Sequence, residues 1–174
     1  MVKDRLDISK LQAGVTQLNK THFNLTANLE EAVQRIGRMA SANEFMIELI
    51  CDHDKEVFVD ADEFKIYQVV YNLINNALNY SGDSRHVTVR QECIGDTVKV
   101  SVQDFGLGIA KENLPLVWER YYKIDKEHRR SFNGSGLGLA IVRKILELHN
   151  AQYGVDSTLG QGSTFWFCLK VSDE

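Results

Sequence analysis

The chain has 174 residues, 44% of them hydrophobic and 25% charged, with a formal net charge of −4; these are ordinary values for a soluble globular protein and give no electrostatic reason to bind nucleic acid or an anionic membrane. No apolar run approaches the roughly 18–20 residues that cross a bilayer, and Met1-Val2-Lys3-Asp4-Arg5 has no apolar stretch behind it of the kind a signal peptide needs. Cys51, Cys93 and Cys168 are scattered and odd in number, which suits buried free thiols in a reducing, cytoplasmic setting and leaves no close ligand pair for a cysteine metal site.

In chain order, Val2, Leu6, Ile8 and Leu11 followed by Gly14 read as a helix end with a glycine just past it. Residues 20–25 read as a short strand, and Asn24 or Thr26 is placed to cap a helix running to about Ser41. Phe45–Ile50 and Glu56–Asp60 read as two strands joined by the polar turn Asp52-His53-Asp54-Lys55. The clearest element is a helix over 62–80. Ile66, Val69, Val70, Leu73, Ile74 and Ala77 recur at i, i+3, i+4, i+7, i+8 and i+11, which makes one buried stripe. Two alternating strands follow, His86–Cys93 and Thr97–Gln103, with a turn at Ile94-Gly95-Asp96. A basic, aromatic stretch over 119–136, a helix from Leu137 to about His149, and strands near 152–157 and 163–171 complete the chain. Long helices interleaved with antiparallel strands predict an α/β two-layer sandwich: a mixed, mostly antiparallel sheet covered on one face by helices.

Chemistry concentrates in three places. Asn72, Asn75, Asn76 and Asn79 lie within eight residues of a helix that is otherwise well formed, although asparagine costs a helix interior roughly half a kcal/mol relative to alanine. Asn72, Asn76 and Asn79 share a face, with Gln68 one turn earlier. Such a row is either a solvated polar face or a set of neutral oxygen ligands for a hard cation, and Mg²⁺ takes only a few protein oxygens beside water and phosphate. Asp104-Phe105-Gly106-Leu107-Gly108-Ile109 sets a carboxylate at the end of a strand before glycines that allow close backbone approach. Gly134-Ser135-Gly136-Leu137-Gly138-Leu139 opens a helix, whose free N–H groups attract phosphate.

Familiar nucleotide patterns do not fit. There is no Gly-Lys-Ser/Thr to end a Walker loop, and Leu139 stands where the dinucleotide fingerprint needs glycine or alanine. Asp104-Phe105-Gly106 lacks the other protein-kinase signatures. The joint order, however, resembles the catalytic and ATP-binding domain of sensor histidine kinases, in the superfamily that also holds gyrase, MutL and heat-shock chaperone ATPases. Asn72–Ala77 resembles its N box, Asp104–Ile109 its first glycine box, Trp118–Tyr122 its F box and Gly134–Gly138 its second glycine box. Gly160-Gln161-Gly162-Ser163-Thr164-Phe165 is similar to its closing glycine segment.

The resemblance implies a Bergerat-type ATP-binding fold and a set of roles. Asn76 would be the main Mg²⁺ ligand, with Asn72 beside it on metal and phosphates. Asp104 would bind the adenine amine, in a pocket shaped by Gly106, Gly108 and Ile109, with Tyr80 near the purine and Thr164 on the closing segment. Residues 119–136 would form a lid with Arg120 and Lys123 as its phosphate contacts, and Gly134, Gly136, Leu137 and Gly138 would form its hinge and phosphate nest. Asn79 departs from the pattern, which commonly has lysine there. Asn72 stands where hydrolysing relatives carry a glutamate base, and an amide cannot take up a proton at neutral pH. The implied activity is therefore transfer of the ATP γ-phosphate to a protein histidine, with a response regulator downstream.

None of the five histidines has the context of the family's phosphorylated residue. Residues 6–14 resemble the end of a dimerisation-domain helix. The expected organisation is thus residues 1–16 as helix end and linker and 17–174 as the catalytic and ATP-binding domain, a monomeric cytoplasmic fragment of a longer kinase, with a membrane anchor elsewhere in the parent left open. The phosphoacceptor would be supplied by a separate histidine-bearing dimerisation domain. The competing expectations are an anti-sigma-type serine kinase and a non-catalytic nucleotide sensor.

Overall fold

The computed structural model describes residues 17–119, 122 and 138–173. Seven strands form one sheet: β1 (Thr21–Asn24), β2 (Met46–Cys51), β3 (Phe58–Ala61), β4 (His86–Ile94), β5 (Thr97–Asp104), β6 (Gln152–Thr158) and β7 (Gly162–Ser172). Their order is β1-β3-β7-β5-β4-β2, with β6 also on β7. Strand β7 is the spine: its residues 163–170 pair with β5, 162–168 with β6, and its end at Val171–Ser172 with β3. All pairs are antiparallel except β2 with β4.

Helices α1 (Leu25–Ala40), α2 (Glu63–Tyr80) and α3 (Gly138–Leu148) pack on the sheet and bury the core against its alternating apolar face. Val98, Val100 and Val102 of β5 face the same way as their partners Leu169, Phe167 and Phe165 of β7. All six are buried. The predicted stripe of α2, Ile66 to Ala77, is buried throughout.

Strands β2 and β3 form, but the turn between them closes no hairpin. They lie at distant places in the sheet, β2 beside β4 and β3 between β1 and β7. A buried polar knot explains the route. Thr26 Oγ1 accepts the Val57 N–H at 2.9 Å and meets the Gln91 amide at 3.1 Å. Leu25 N–H donates to Val57 O at 2.8 Å. Buried polar groups must be paired, so the chain before β3 is held at the start of α1 and β3 is left to its other neighbours.

The start of α2 is fixed from three sides. Asp62 is its N-cap, accepting the Lys65 N–H at 3.1 Å through one oxygen and the Asn19 N–H at 2.9 Å through the other. Asp62 N–H donates to His149 Nε2 at 3.1 Å, and His149 Nδ1–H donates to Ile145 O at 2.8 Å. Both ring nitrogens are thereby assigned to a neutral imidazole. Burial, the largest influence, lowers its pKa below the ordinary 6.5. The stability that His149 contributes is therefore present above pH 6.5 and lost as pH falls through the lowered folded value. Between pH 7 and 5, the urea midpoint of the parent should fall further than that of His149→Asn; equal changes would contradict the assignment.

Candidate functional site

The site forms where the end of β5, the start of β7 and the C-terminal end of α2 converge. Asp104 is the last residue of β5 and only 2% exposed. Its Oδ1 accepts the Gly106 N–H at 3.0 Å, and the Ser163 N–H also bonds the carboxylate. Burial outweighs both hydrogen bonds and raises its pKa from 3.8 to about 6. A buried, half-satisfied carboxylate at a strand end is an acceptor prepared for a donor from outside.

Close backbone approach explains the glycines. A Cβ on Gly106 would lie 1.7 Å from Tyr80 O, so the loop after Asp104 rests directly on the end of α2. Gly108 (φ 71°) and Gly162 (φ 87°) are left-handed, and a Cβ on them would lie 2.1 Å from Thr158 O and 2.0 Å from Asp104 O. These positions admit only glycine. Gly160 N–H donates to Leu107 O at 2.7 Å, which joins the two glycine segments.

Sequence reasoning missed the serine that ties this corner together. Ser157 Oγ accepts the Ile109 N–H at 2.8 Å and donates to Gly162 O at 2.8 Å. Its single proton is then spent, so Ser163 Oγ, 2.8 Å away, is the donor in the pair. The placement of Thr164 in the pocket needs correction. Thr164 is paired with Gln103 and Asp156 on the opposite face of the sheet, while Ser163 is the residue opposite Asp104. The signal was present, since Phe165, Phe167 and Leu169 face inward, and a period of two assigns Ser163 to their side.

On α2, Asn72 Nδ2 donates to Gln68 O at 3.0 Å. That bond leaves Oδ1 directed at α3, where it lies 3.3 Å from the point a Gly138 Cβ would occupy. Gly138, the first residue of α3, is thus brought to Asn72. Asn76 is half-buried one turn further along α2 and makes no hydrogen bond among the described residues. Asn79 Oδ1 is buried with no partner among them. Tyr80 ends the helix with 42% of its surface exposed. Ile109 is buried below the loop. Arg120, Lys123, Gly134, Gly136 and Leu137 lie outside the described residues.

The segment leading to residue 120 is anchored. Trp118 packs edge-on against Tyr153 and Phe165, at 5.0 and 5.4 Å between centroids. Arg143 on α3 reaches Glu119 at 3.1 Å and Glu147 at 2.9 Å, and Tyr153 OH donates to Glu147 at 3.2 Å.

The family model described as histidine kinase-, DNA gyrase B- and HSP90-like ATPase matches residues 61–173. The chain belongs to that family. It is 33% identical over 179 residues to the sensor histidine kinase WalK of Bacillus subtilis, covering all of this chain and 28% of that protein. Against the non-motile and phage-resistance protein of Caulobacter vibrioides it is 33% identical over 175 residues, 98% of this chain and 20% of the other. The chain therefore spans between a fifth and three tenths of the length of these relatives. Among solved structures, full-length ShkA in complex with AMPPNP superposes with a TM-score of 0.85 at 24% identity, over 99% of this chain and 35% of ShkA. The catalytic domain of histidine kinase ThkA gives 0.74 at 25% identity, over 87% of this chain and 95% of that domain. The two-layer architecture with a mixed, mostly antiparallel sheet is that of histidine kinase ATPase domains.

Because Asp104 is held neutral to a higher pH in the fold than in the open chain, its ionisation costs the fold on the order of 3 kcal/mol at neutral pH. That cost vanishes as pH falls below the unfolded value. Asp104→Asn keeps the acceptor for Gly106 N–H and removes the charge. It should raise the urea midpoint at pH 7.5, with the gain shrinking toward zero near pH 4; a lowered midpoint at pH 7.5 would contradict the burial argument.

Proposed function

We propose that this chain binds Mg-ATP and donates the γ-phosphate to a histidine on a separate dimerisation domain, as the catalytic part of a two-component sensor kinase. The observation that carries this is a buried carboxylate, Asp104, whose loop rests on the C-terminal end of α2, the same helix that carries the asparagine row and brings Asn72 to Gly138 of α3. Asp104 accepts the exocyclic amine of adenine, a donor that suits a carboxylate with few partners. Gly106 and Gly108 let the purine approach the backbone, and Ser163 lines the pocket beside Asp104. Asn72 Oδ1, fixed in orientation through its own Nδ2, and Asn76 are the residues that would hold the magnesium. The neutral oxygen donors fit a hard cation that brings phosphate oxygens as its other ligands. When bound, the metal neutralises charge on the transferring phosphoryl group.

Asn72 holds no proton-accepting group toward water, which favours an acceptor brought by another domain over hydrolysis. The N-terminus of α3, beginning at Gly138, directs N–H groups toward the same place. Lys at position 79 is absent, so positive charge for the phosphates falls to Arg120 and Lys123. Among the described histidines, His22 bonds Asp60 at 3.1 Å and His149 braces α2; none of the chain's histidines is assigned as phosphoacceptor. The cognate response regulator acts after the transfer, and the chain itself is expected to be monomeric.

Incubation with γ-labelled ATP and a histidine-bearing dimerisation domain tests the proposal. Label should appear on the domain's histidine and not on this chain, and Asn76→Ala should reduce transfer by at least 100-fold, roughly the loss seen when one transition-state electrostatic contact is removed. Label on this chain's own histidines, or nucleotide binding with no transfer, would overturn it; the second outcome supports a non-catalytic nucleotide sensor.

A further inference from the structure

The corner around Asp104 is closed by donors that are already spent. Gly106 N–H is held on Asp104 Oδ1 at 3.0 Å, and Ser163 N–H on the same carboxylate. Gly160 N–H is held on Leu107 O at 2.7 Å, and Ile109 N–H on Ser157 Oγ at 2.8 Å. Each of these four is satisfied inside the protein, so none is offered to a ligand. The hydroxyls of Ser157 and Ser163 are the adjustable groups, because an O–H rotates to suit its neighbours and a peptide N–H does not.

Ser157 sets the direction of both. It lies on β6, and its Oγ is 2.8 Å from Gly162 O. A carbonyl only accepts, so the Ser157 proton points there. Its Oγ then has lone pairs alone for its other neighbours, and it accepts from Ile109 N–H and from Ser163 O–H, 2.8 Å away. Ser163 is thereby turned as well. It stands opposite Asp104 in the register of β5 and β7, and the two residues are 6% and 2% exposed. With its proton drawn toward β6, Ser163 Oγ has only lone pairs for whatever enters beside Asp104. A carboxylate and an acceptor hydroxyl then stand side by side, an edge that pairs with a donor and repels a carbonyl oxygen.

We infer that Ser157 is a positioning residue for nucleotide selection: by holding the Ser163 proton it keeps the edge beside Asp104 acceptor-only, and so favours a 6-amino over a 6-oxo purine. This rests on the reading of Asp104 as the adenine acceptor. Without the Ser157 hydroxyl, the Ser163 O–H is free to turn toward one of two partners. Donated to the Asp104 carboxylate, it leaves less for an amine to bind. Donated to a 6-oxo group, it gives that oxygen the partner it otherwise lacks. Both outcomes weaken ATP relative to inosine triphosphate. The backbone frame is held by other contacts: β6 stays paired with β7 along Gln152–Thr158, and Gly160 stays on Leu107.

Calorimetric titration of the full chain with ATP and with inosine triphosphate, at pH 7.5 with magnesium, tests this in the parent, Ser157→Ala, Ser163→Ala and the double variant. Ser157→Ala should lower the preference for ATP by about tenfold, the effect of one hydrogen bond to a charged group. In the Ser163→Ala background the same substitution should change the preference by less than about twofold, since no hydroxyl is left to turn. Ser157→Thr should keep the parental preference, and Ser157→Val, similar in shape but without the hydroxyl, should lose it. That pair decides if alanine loosens β6 enough to unfold the domain. An equal loss in both backgrounds would overturn the inference, because Ser157 would then act by packing alone. So would an unchanged preference in Ser157→Ala or Ser157→Val. A parent that fails to distinguish the two nucleotides would instead overturn the reading of Asp104, and this inference with it.

Discussion

A carboxylate buried at the end of a central strand is the constraint around which the rest of the domain is arranged. Asp104 ionises only at a cost to the fold, and that cost persists because two N–H groups and a wall of backbone hold it in place. The wall is possible because Gly106 and Gly162 lack side chains: one sits against the Tyr80 carbonyl, the other against the Asp104 carbonyl. Strand β7 supplies the other half of the corner through Ser163, whose hydroxyl donates to Ser157 Oγ on the neighbouring strand β6. Strain of this kind, stored where a ligand's donor would relieve it, is expected of a binding site and not of a core designed only for stability.

The asparagine-bearing helix α2 is positioned by forces independent of any ligand. Its apolar stripe buries six residues against the sheet, and Asp62 ends its N-terminus in hydrogen bonds to Lys65 and Asn19. His149, just past the end of α3, accepts from the backbone of Asp62, so α2 and α3 are joined at one end and meet at Asn72 and Gly138 near the other. Local cost is accepted on the exposed side: Asn72 spends half of its amide on the helix backbone, and in doing so aims its oxygen into the cleft.

Much of this was legible in the residues because the signals were local. The stripe from Ile66 to Ala77 specified α2, and the alternation of Val98, Val100 and Val102 specified β5. Glycines at 106 and 108 marked backbone approaches that the structure makes. Pairing at long range was less legible. The parallel partnership of β2 with β4, and the separation of β2 from β3, depend on Thr26 and Gln91, which are 65 residues apart in sequence. No periodicity in either segment announces such a knot. Thr164 was a different kind of error: the motif suggested a hydroxyl, but the period-two pattern of β7 selects its neighbour Ser163. The cations expected over the phosphates, Arg120 and Lys123, fall outside the described residues.

The central claim is that Asp104 reads the adenine amine, and nucleotide titration by calorimetry tests it most directly. ATP and inosine triphosphate carry the same phosphates and sugar but differ at the purine 6-position, where a donor amine is replaced by an acceptor carbonyl. At pH 7.5 with magnesium, the account predicts that ATP binds at least 100-fold more tightly, because the carbonyl would face an ionised carboxylate and leave it unpaired. Equal affinity for the two nucleotides would contradict it.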